Sequence, residues 1–399
     1  MANPRRQAGR YERSTVAGEA VLAFIPEPLP PRRPPLALPS ATLEKVRVAE
    51  QKLSRLELAS DMVPSLEWFI YAFVRKEAVV SSQIEGSQAS LVDLLAYEAG
   101  APAGKEQASN DIEEVSNYLA ALDYARQQLQ SEKGLPLSTR LLNEAHHRLM
   151  KGVRGATKQP GELRRSQNWI GGTRPGNAVF VPPPPQEIVR LLSDLEKYIH
   201  GDDDLPPLVR AAVAHVQFET IHPYLDGNGR IGRLLITLLL EHWKLLSEPL
   251  LYLSLFFKRH RAEYYRLLNA VRLEGDWESW VAFFLEGVST IADEAADTAR
   301  DLFVLVNQDR SRVLSAPNAS VMAARLLDQL PRHPISTIPM LVELLDTTKP
   351  TAGKAVNVLE QLGILKETTG RRRDRTFSYV SYLDRLRAGT ELQEPEAQS

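Results

Sequence analysis

Between residues 41 and 300 the apolar residues of this chain recur at three- and four-residue spacing, and no long alternating run appears before residue 360. Leu43, Val46, Val48, Leu53, Leu56 and Leu58 fall near helical spacing with charged residues between them, which predicts a helix burying one stripe. The same period predicts helices over 64–80, 91–97, 110–129, 186–200, 230–243, 261–273 and 277–304. Residues 138–151 add a Ser/Thr cap signal. Another helix carries Pro206 and Pro207 in its first turn, where proline is tolerated, and continues to about residue 220. The expected fold class is mainly α, a helical bundle.

Composition narrows the chemistry. The 399 residues suggest two to three domains at roughly 100–200 residues each. Hydrophobic residues at 43% and charged residues at 25% allow a sizeable core, which excludes global disorder. A net charge of -2 supplies no whole-chain attraction to nucleic acid or membrane, so either partner would need a local patch. There is no cysteine, which excludes a disulfide framework, a thiol nucleophile and thiolate metal sites. The longest apolar stretch, 234–240, falls far short of the ~20 residues that span a bilayer. The basic N-terminus lacks the apolar run of a signal peptide, so the expected location is cytoplasmic and no membrane partner is expected.

Punctuation sets the organisation. Residues 1–40 carry a dense proline cluster and are expected to form an extended arm along a surface. A helical region (41–130) and a larger helical core (131–304) follow, then a linker (305–318), a small module (319–388) and a tail (389–399). Within the core, 152–185 is rich in Gly, Pro, Arg and Asn, and a loop of that length in a compact chain is more often functional than not. Val179, Phe180 and Val181 could form a short strand there, with 168–170 as its hairpin partner. The small module reads as three short helices (320–330, 335–345 and 350–362) followed by a hairpin turning at Thr369 and Gly370, the layout of a winged helix-turn-helix.

One segment concentrates reactive groups. From His222 to Arg233, twelve positions hold a histidine, Asp226, Asn228, three glycines (Gly227, Gly229, Gly232), Ile231 and two arginines, Arg230 and Arg233. The segment opens a helix, whose N-terminus favours anions. Gly227 and Gly229 let backbone amides approach phosphate oxygens. Arg230 and Arg233 lie three apart and can serve one charge cluster. Asp226 suits magnesium, which takes one or two carboxylates plus phosphate oxygens. His222 suits proton transfer near neutrality. A dinucleotide-binding reading of Gly227-x-Gly229-x-x-Gly232 fails because a helix, not a strand, precedes it. A calcium-loop reading fails because Ile231 and Thr237 replace the required glycine and glutamate. A bare helix cap would leave His222 and both arginines without a use.

His222-Pro-Tyr-Leu-Asp226-Gly-Asn-Gly-Arg-Ile-Gly-Arg233 resembles the Fic-family signature, with Tyr224 in the usual phenylalanine place. The resemblance extends over roughly 41–300 and implies a Fic-type bundle that transfers AMP from ATP to a Ser, Thr or Tyr hydroxyl of a target protein or of itself, releasing pyrophosphate. His222 would be the general base and Asp226 the Mg²⁺ ligand. Gly227, Asn228 and Gly229 would form the anion nest, with the Asn228 side chain on a phosphate oxygen. Arg230 and Arg233 would pair with the β- and γ-phosphates. Gly229, rather than lysine, favours AMP transfer over the phosphate-transferring branch. Residues 152–185 resemble the family flap, which clamps the target by strand addition; Asn177, Ala178, Val179, Phe180 and Val181 would be its nucleotide-adjacent arm. Tyr264 and Tyr265 match a tyrosine pair near the adenine, with packed helix aromatics as the equal alternative.

Upstream, Ser81-Ser-Gln-Ile-Glu85-Gly86 resembles the family's inhibitory motif. Ser81 and Glu85 are four apart and expected on one helix face. Glu85 would pair with Arg233 where the γ-phosphate sits and hold ATP unproductively. In the C-terminal module, Lys354 with Arg371, Arg372 and Arg373 is a candidate DNA-contacting surface, diluted by Glu343, Asp346, Glu360 and Asp374; protein docking or a homodimer are the other uses of such a module. The second function class is a nucleotide-sensing DNA-binding regulator, and within the enzyme class AMP removal or another donor stays open.

Overall fold

The computed structural model describes residues 6–61, 66–101, 106–153, 155–371 and 373–392. The chain begins with β1 (Gly9–Val16) and β2 (Glu19–Pro26). Then come α1 (Ser40–Asp61), α2 (Leu66–Ile84), α3 (Leu91–Glu98), α4 (Glu106–Gln130) and α5 (Thr139–Leu149). Around the 222–233 segment lie α6 (Pro185–His200), α7 (Pro207–Ile221), α8 (Asn228–His242), α9 (Ser254–Arg259) and α10 (Arg261–Glu274). The long α11 (Trp277–Leu314) precedes α12 (Val321–Gln329), β3 (Ile335–Thr337), α13 (Ile338–Leu344), α14 (Lys349–Gln361), β4 (Lys366–Glu367), β5 (Thr376–Ser378) and α15 (Val380–Leu386). The mainly α class expected from the periodicity is what the chain adopts. Among the described residues no helix is long and apolar enough to cross a membrane.

The chain divides into two compact units. The first comprises 1–54, 117–247 and 256–291. Its centre is α7, every residue of which from Leu208 to Ile221 is buried, packed against α8. Gly232 makes that approach close: a Cβ there would stand 2.2 Å from Glu219 Oε1. α6 packs on α7 through Ile188, Leu191, Leu192 and Leu195. Arg210 reaches from α7 to close the end of α6, donating to the carbonyls of Tyr198 (2.8 Å) and Gly201 (2.7 Å). On the other side Trp280 donates its indole N–H to Ala212 O at 2.8 Å and joins Phe257, Tyr264 and Phe283 in one aromatic cluster.

The second unit comprises 55–116, 248–255 and 292–399. Ser90 caps α3 through a reciprocal box with Asp93. Glu98 accepts from Tyr71 Oη (2.6 Å) and Arg75 Nε (2.8 Å), joining α2 to α3. The C-terminal part has the order helix, strand, helix, helix, strand, strand, and its sheet runs β3-β5-β4. Buried Asp309 on α11 accepts the Tyr379 hydroxyl at 2.6 Å.

Three expectations are corrected. The N-terminal arm is not merely extended: 9–26 form an antiparallel hairpin in register from Gly9↔Pro26 to Val16↔Glu19, turning at Ala17 and Gly18 with positive φ (49° and 82°). β1 is largely exposed and lacks the apolar alternation that advertises a strand. The expected linker is helical as far as Leu314, because α11 keeps a buried stripe through Leu302, Val306 and Val313. The helix expected over 335–345 begins as strand β3, with Thr337 then capping α13. The short α9 and α15 carry too few turns to show a period. Pro64, part of the expected second helix, and tail residues 393–399 lie outside the described residues.

Candidate active site

The site grows from the end of α7. His222 terminates that helix in the left-handed conformation (φ 50°, ψ 61°), its amide still donating to Phe218 O at 3.0 Å. That turn sends the next six residues across the start of α8. Asn228 closes them into a loop: its Oδ1 accepts from Tyr224 N (2.8 Å) and its Nδ2 donates to Tyr224 O (2.9 Å). Gly227 caps α8 at φ 76°, where a Cβ would lie 2.9 Å from Met150 Sδ. The first amides of α8 have no intrahelical acceptors, so an anion can use them.

Charged groups surround this mouth. Asp226 is 41% exposed; its Oδ1 accepts the Gly227 amide at 2.7 Å, with Arg230 Nη2 at 3.9 Å. Arg230 and Arg233 are both sunk in the protein, Arg230 Nη2 lying 3.7 Å from Met150 Sδ. Burial pushes the His222 pKa down to about 3, aided by the Arg164 and Arg272 cations and opposed by a weak pull from the Glu219 carbonyl. The residue as a whole is half-buried, and its buried Nδ1 lacks a well-formed hydrogen bond. It is therefore neutral at physiological pH and able to accept a proton.

Two residues that pattern reading missed hold the loop. Arg164 is 2% exposed and donates Nε to His222 O at 2.9 Å, Nη2 to Pro183 O at 2.5 Å and Nη1 to Ser166 O at 3.2 Å, while its amide donates to Pro223 O at 2.9 Å. Burial lowers its pKa only to about 10, so it stays charged. His146 stacks on Tyr224 (3.8 Å, 5°), accepts the Gly161 amide on Nδ1 (2.8 Å) and so donates Nε2–H to Asp226 O (3.0 Å). Tyr224 donates its hydroxyl to Asn143 Oδ1 at 2.9 Å, which satisfies the polar atom that phenylalanine would lack. The available signals were the paired histidines on an amphipathic helix and the arginine ending a glycine-rich stretch.

Other expected site residues fall differently. The Asn228 side chain is buried, and its amide is spent on the Tyr224 backbone. Tyr264 is core: its hydroxyl meets His215 Nε2 at 2.9 Å, whose Nδ1 donates to Gly232 O at 3.0 Å. Tyr265, 38% exposed with Arg261 over its ring, is the reachable member of the pair. Gly229 and Ile231 lie in the first turn of α8, where Ile231 is buried. The flap forms a single bridge, Ile170↔Phe180, rather than a regular hairpin. Asn177 Oδ1 accepts the amides of Thr173 (3.0 Å) and Arg174 (2.9 Å) and so builds the flap turn; Val179 is exposed, while Phe180 and Val181 are buried. Arg272 lies 4.0 Å over the Phe180 ring.

In the second unit, Ser81 is buried in the last turns of α2, whereas Glu85 is exposed in the closing turn with Gly86 at φ 99°. The two do not share one exposed face, because the helix ends at Ile84. Lys354, Arg371 and Arg373 are exposed; Arg372 lies outside the described residues.

Three imidazoles of the first unit, His146, His215 and His222, are held below the ordinary 6.5, at about 4, 3 and 3, in each case chiefly by burial. Between those values the unfolded chain binds more protons than the folded one. Their stabilising contribution is full above pH 6.5 and is lost as pH falls toward 3. The melting temperature is expected to hold above neutrality and decline steadily on acidification. Imidazole NMR resonances of these three rings are expected not to titrate down to about pH 5. A ring protonating near 6.5 in the folded protein would contradict the assignment.

Residues 136–240 match the family model described as "Fic/DOC family", and 43–127 match "Fic/DOC family N-terminal". The chain is 28% identical over 231 residues to a protein of Drosophila virilis named "Protein adenylyltransferase Fic", covering 57% of this chain and 43% of that one. A protein of the same name from Culex quinquefasciatus is 28% identical over 246 residues, covering 59% and 46%. The chain thus spans less than half the length of these curated relatives. Among solved structures, a Fic family protein from Desulfovibrio desulfuricans has the same fold (TM-score 0.56, 22% identity, covering 87% of this chain and 98% of that one). A Fic domain containing signaling protein from Bacteroides thetaiotaomicron also resembles it (TM-score 0.51, 20% identity, 63% and 95%). With its signature at 222–233 and both family segments in place, the chain belongs to the Fic/DOC family.

Proposed function

We propose that this chain is a protein adenylyltransferase that moves AMP from ATP to a Ser, Thr or Tyr hydroxyl of a target protein and of itself. The carrying observation is His222 at the end of α7, with Asp226 on the loop that leads into α8 and the buried Arg230 and Arg233 on the first two turns of that helix. The name shared by the relatives supports the same reading. The imidazole takes the hydroxyl proton as the hydroxyl oxygen bonds to the α-phosphorus. The bond from that phosphorus to the bridging oxygen breaks, and pyrophosphate leaves. The α8 amides and both arginines bind the phosphates, so positioning and charge neutralisation supply most of the acceleration.

The residues present fit magnesium. Asp226 is partly exposed, and its Oδ2 has no protein partner among the described residues, so one carboxylate is available to an ion completed by phosphate oxygens. When bound, the ion would neutralise phosphate charge. Incubation with ATP and Mg²⁺ is expected to add the mass of AMP to the protein, and His222→Ala to abolish that gain by about 10²-fold or more. Full labelling without the histidine would remove it as base; a gain of phosphate would replace AMP transfer with phosphate transfer.

We further propose that Glu85 restrains the enzyme by pairing with Arg233 in place of the γ-phosphate. The motif and the exposure of Glu85 at the end of α2 support this. Glu85→Gly is expected to raise self-labelling from ATP at least several-fold. Unchanged labelling with ATP binding intact would end the proposal.

A second reading rests on the C-terminal module, whose helix, turn and helix with a β3-β5-β4 sheet is consistent with a winged helix. Lys349 and Lys354 on α14 and Arg371 and Arg373 beyond β4 are exposed, which suits duplex DNA. A salt-dependent gel shift is expected, lost when Arg371 and Arg373 become alanine. No shift at low salt would leave docking to protein as the use of this module.

A further inference from the structure

We infer that the N-terminal hairpin is a working part of the target clamp: β1 and β2 buttress the flap, and Glu19 is the positioning residue that sets the flap tip. This rests on the adenylyltransferase reading, in which the flap grips the target.

The flap is poorly supported by its own hydrogen bonds. Ile170 and Phe180 make one bridge, and the turn between them is held by Asn177 and by the Ala178 and Val179 amides, which donate to Pro175 O (3.3 Å) and Ile170 O (3.0 Å). The hairpin supplies what is missing at two places. At the flap base, Phe24 N donates to Val181 O at 2.9 Å, and Val181 packs with Val16, Val21 and Ala23, Ala178 lying against the same cluster. At the tip, Glu19, beside the hairpin turn, accepts on Oε2 from Arg174 Nη1 (2.5 Å) and from the Gly176 amide (3.0 Å). A carboxylate accepting one cationic and one backbone donor fixes both the side chain and the main chain of the turn. The hairpin is anchored on the helices that carry the motif: Gln217 of α7 donates to Glu27 O at 3.0 Å, just past the end of β2. The flap is thereby referenced to the helix that ends in His222, and the distance between clamp and base is set by this tether.

The experiment measures amide hydrogen exchange and AMP transfer in the full chain. In Glu19→Ala, exchange at Ile170, Val179 and Phe180, none of which touches Glu19, is expected to rise about three- to tenfold, with α7 amides unchanged. Glu19→Gln, which keeps an acceptor oxygen, is expected to retain most of the protection. ATP affinity by titration is expected to stay the same while the rate of AMP transfer from labelled ATP to the chain itself falls several-fold. A merely structural residue would not separate these two. Unchanged exchange in the flap would overturn the inference, as would a loosened flap with undiminished transfer. Because exchange needs no turnover, its result stands or falls separately from the proposed activity.

Discussion

His222 can sit where it does only because its left-handed backbone is stabilised from outside the helix. A non-glycine residue in that conformation costs ~1–2 kcal/mol, and within α7 only the His222 amide bond to Phe218 O stands against it. Arg164 does: its guanidinium and its amide take up the carbonyls of His222 and Pro223, and another of its nitrogens holds Pro183 at the return of the flap. A hydrogen bond from a charged donor contributes ~1.5–3 kcal/mol, so two or three of them exceed the backbone strain. One buried cation therefore joins the end of α7, the start of the motif loop and the end of the flap. Lysine could not replace it, since a single ammonium cannot span acceptors fanned around a planar fork.

The same cation shapes the chemistry. The hydrogen-bond partners of Arg164 are carbonyl oxygens, not carboxylates, so its charge is solvated by dipoles but not cancelled. Together with Arg272 it depresses the His222 pKa beyond what burial achieves. A site so arranged disfavours a protonated imidazole, chiefly through burial, and its uncancelled positive potential adds to that effect while favouring a polyanion. His146 complements this by fixing the Asp226 carbonyl through a neutral N–H, which holds the loop without adding a further charge.

The part of this architecture legible in the sequence was the part encoded locally. Helices announced themselves through apolar period and, at 138–151, through a cap at Ser138, and the motif showed itself because its groups are consecutive. What escaped was non-local. Arg164 and His146 act on residues 58 and 80 positions away, and nothing in their immediate neighbours signals that reach. β1 escaped because its side chains face solvent, so the hairpin is specified by its turn and its partner strand rather than by alternation. Tyr264 and Tyr265 read as an equivalent pair, yet adjacent helical residues point about 100° apart, and only tertiary packing decides which enters the core. Asn228 was assigned to phosphate by its neighbours in the motif, whereas the left-handed loop it closes has first claim on its amide.

The strength of the flap's attachment carries its own argument. The Glu19–Arg174 pair is exposed, at 32% and 62%, so it contributes only ~0–1 kcal/mol. The Phe24–Val181 bond and the small cluster beneath it add somewhat more, yet far less than the burial that holds α7 and α8 together. In the proposed reading the flap admits a target chain and releases it, which suits an attachment weaker than that between the helices. Contacts of this size bias the flap toward one position while leaving it within a few RT of others. Because the buttress comes from residues about 155 positions earlier in the chain, the flap is tied in this way only when the N-terminal hairpin has docked on α7. The order of the flap is therefore coupled to the integrity of α7, the helix that ends in His222.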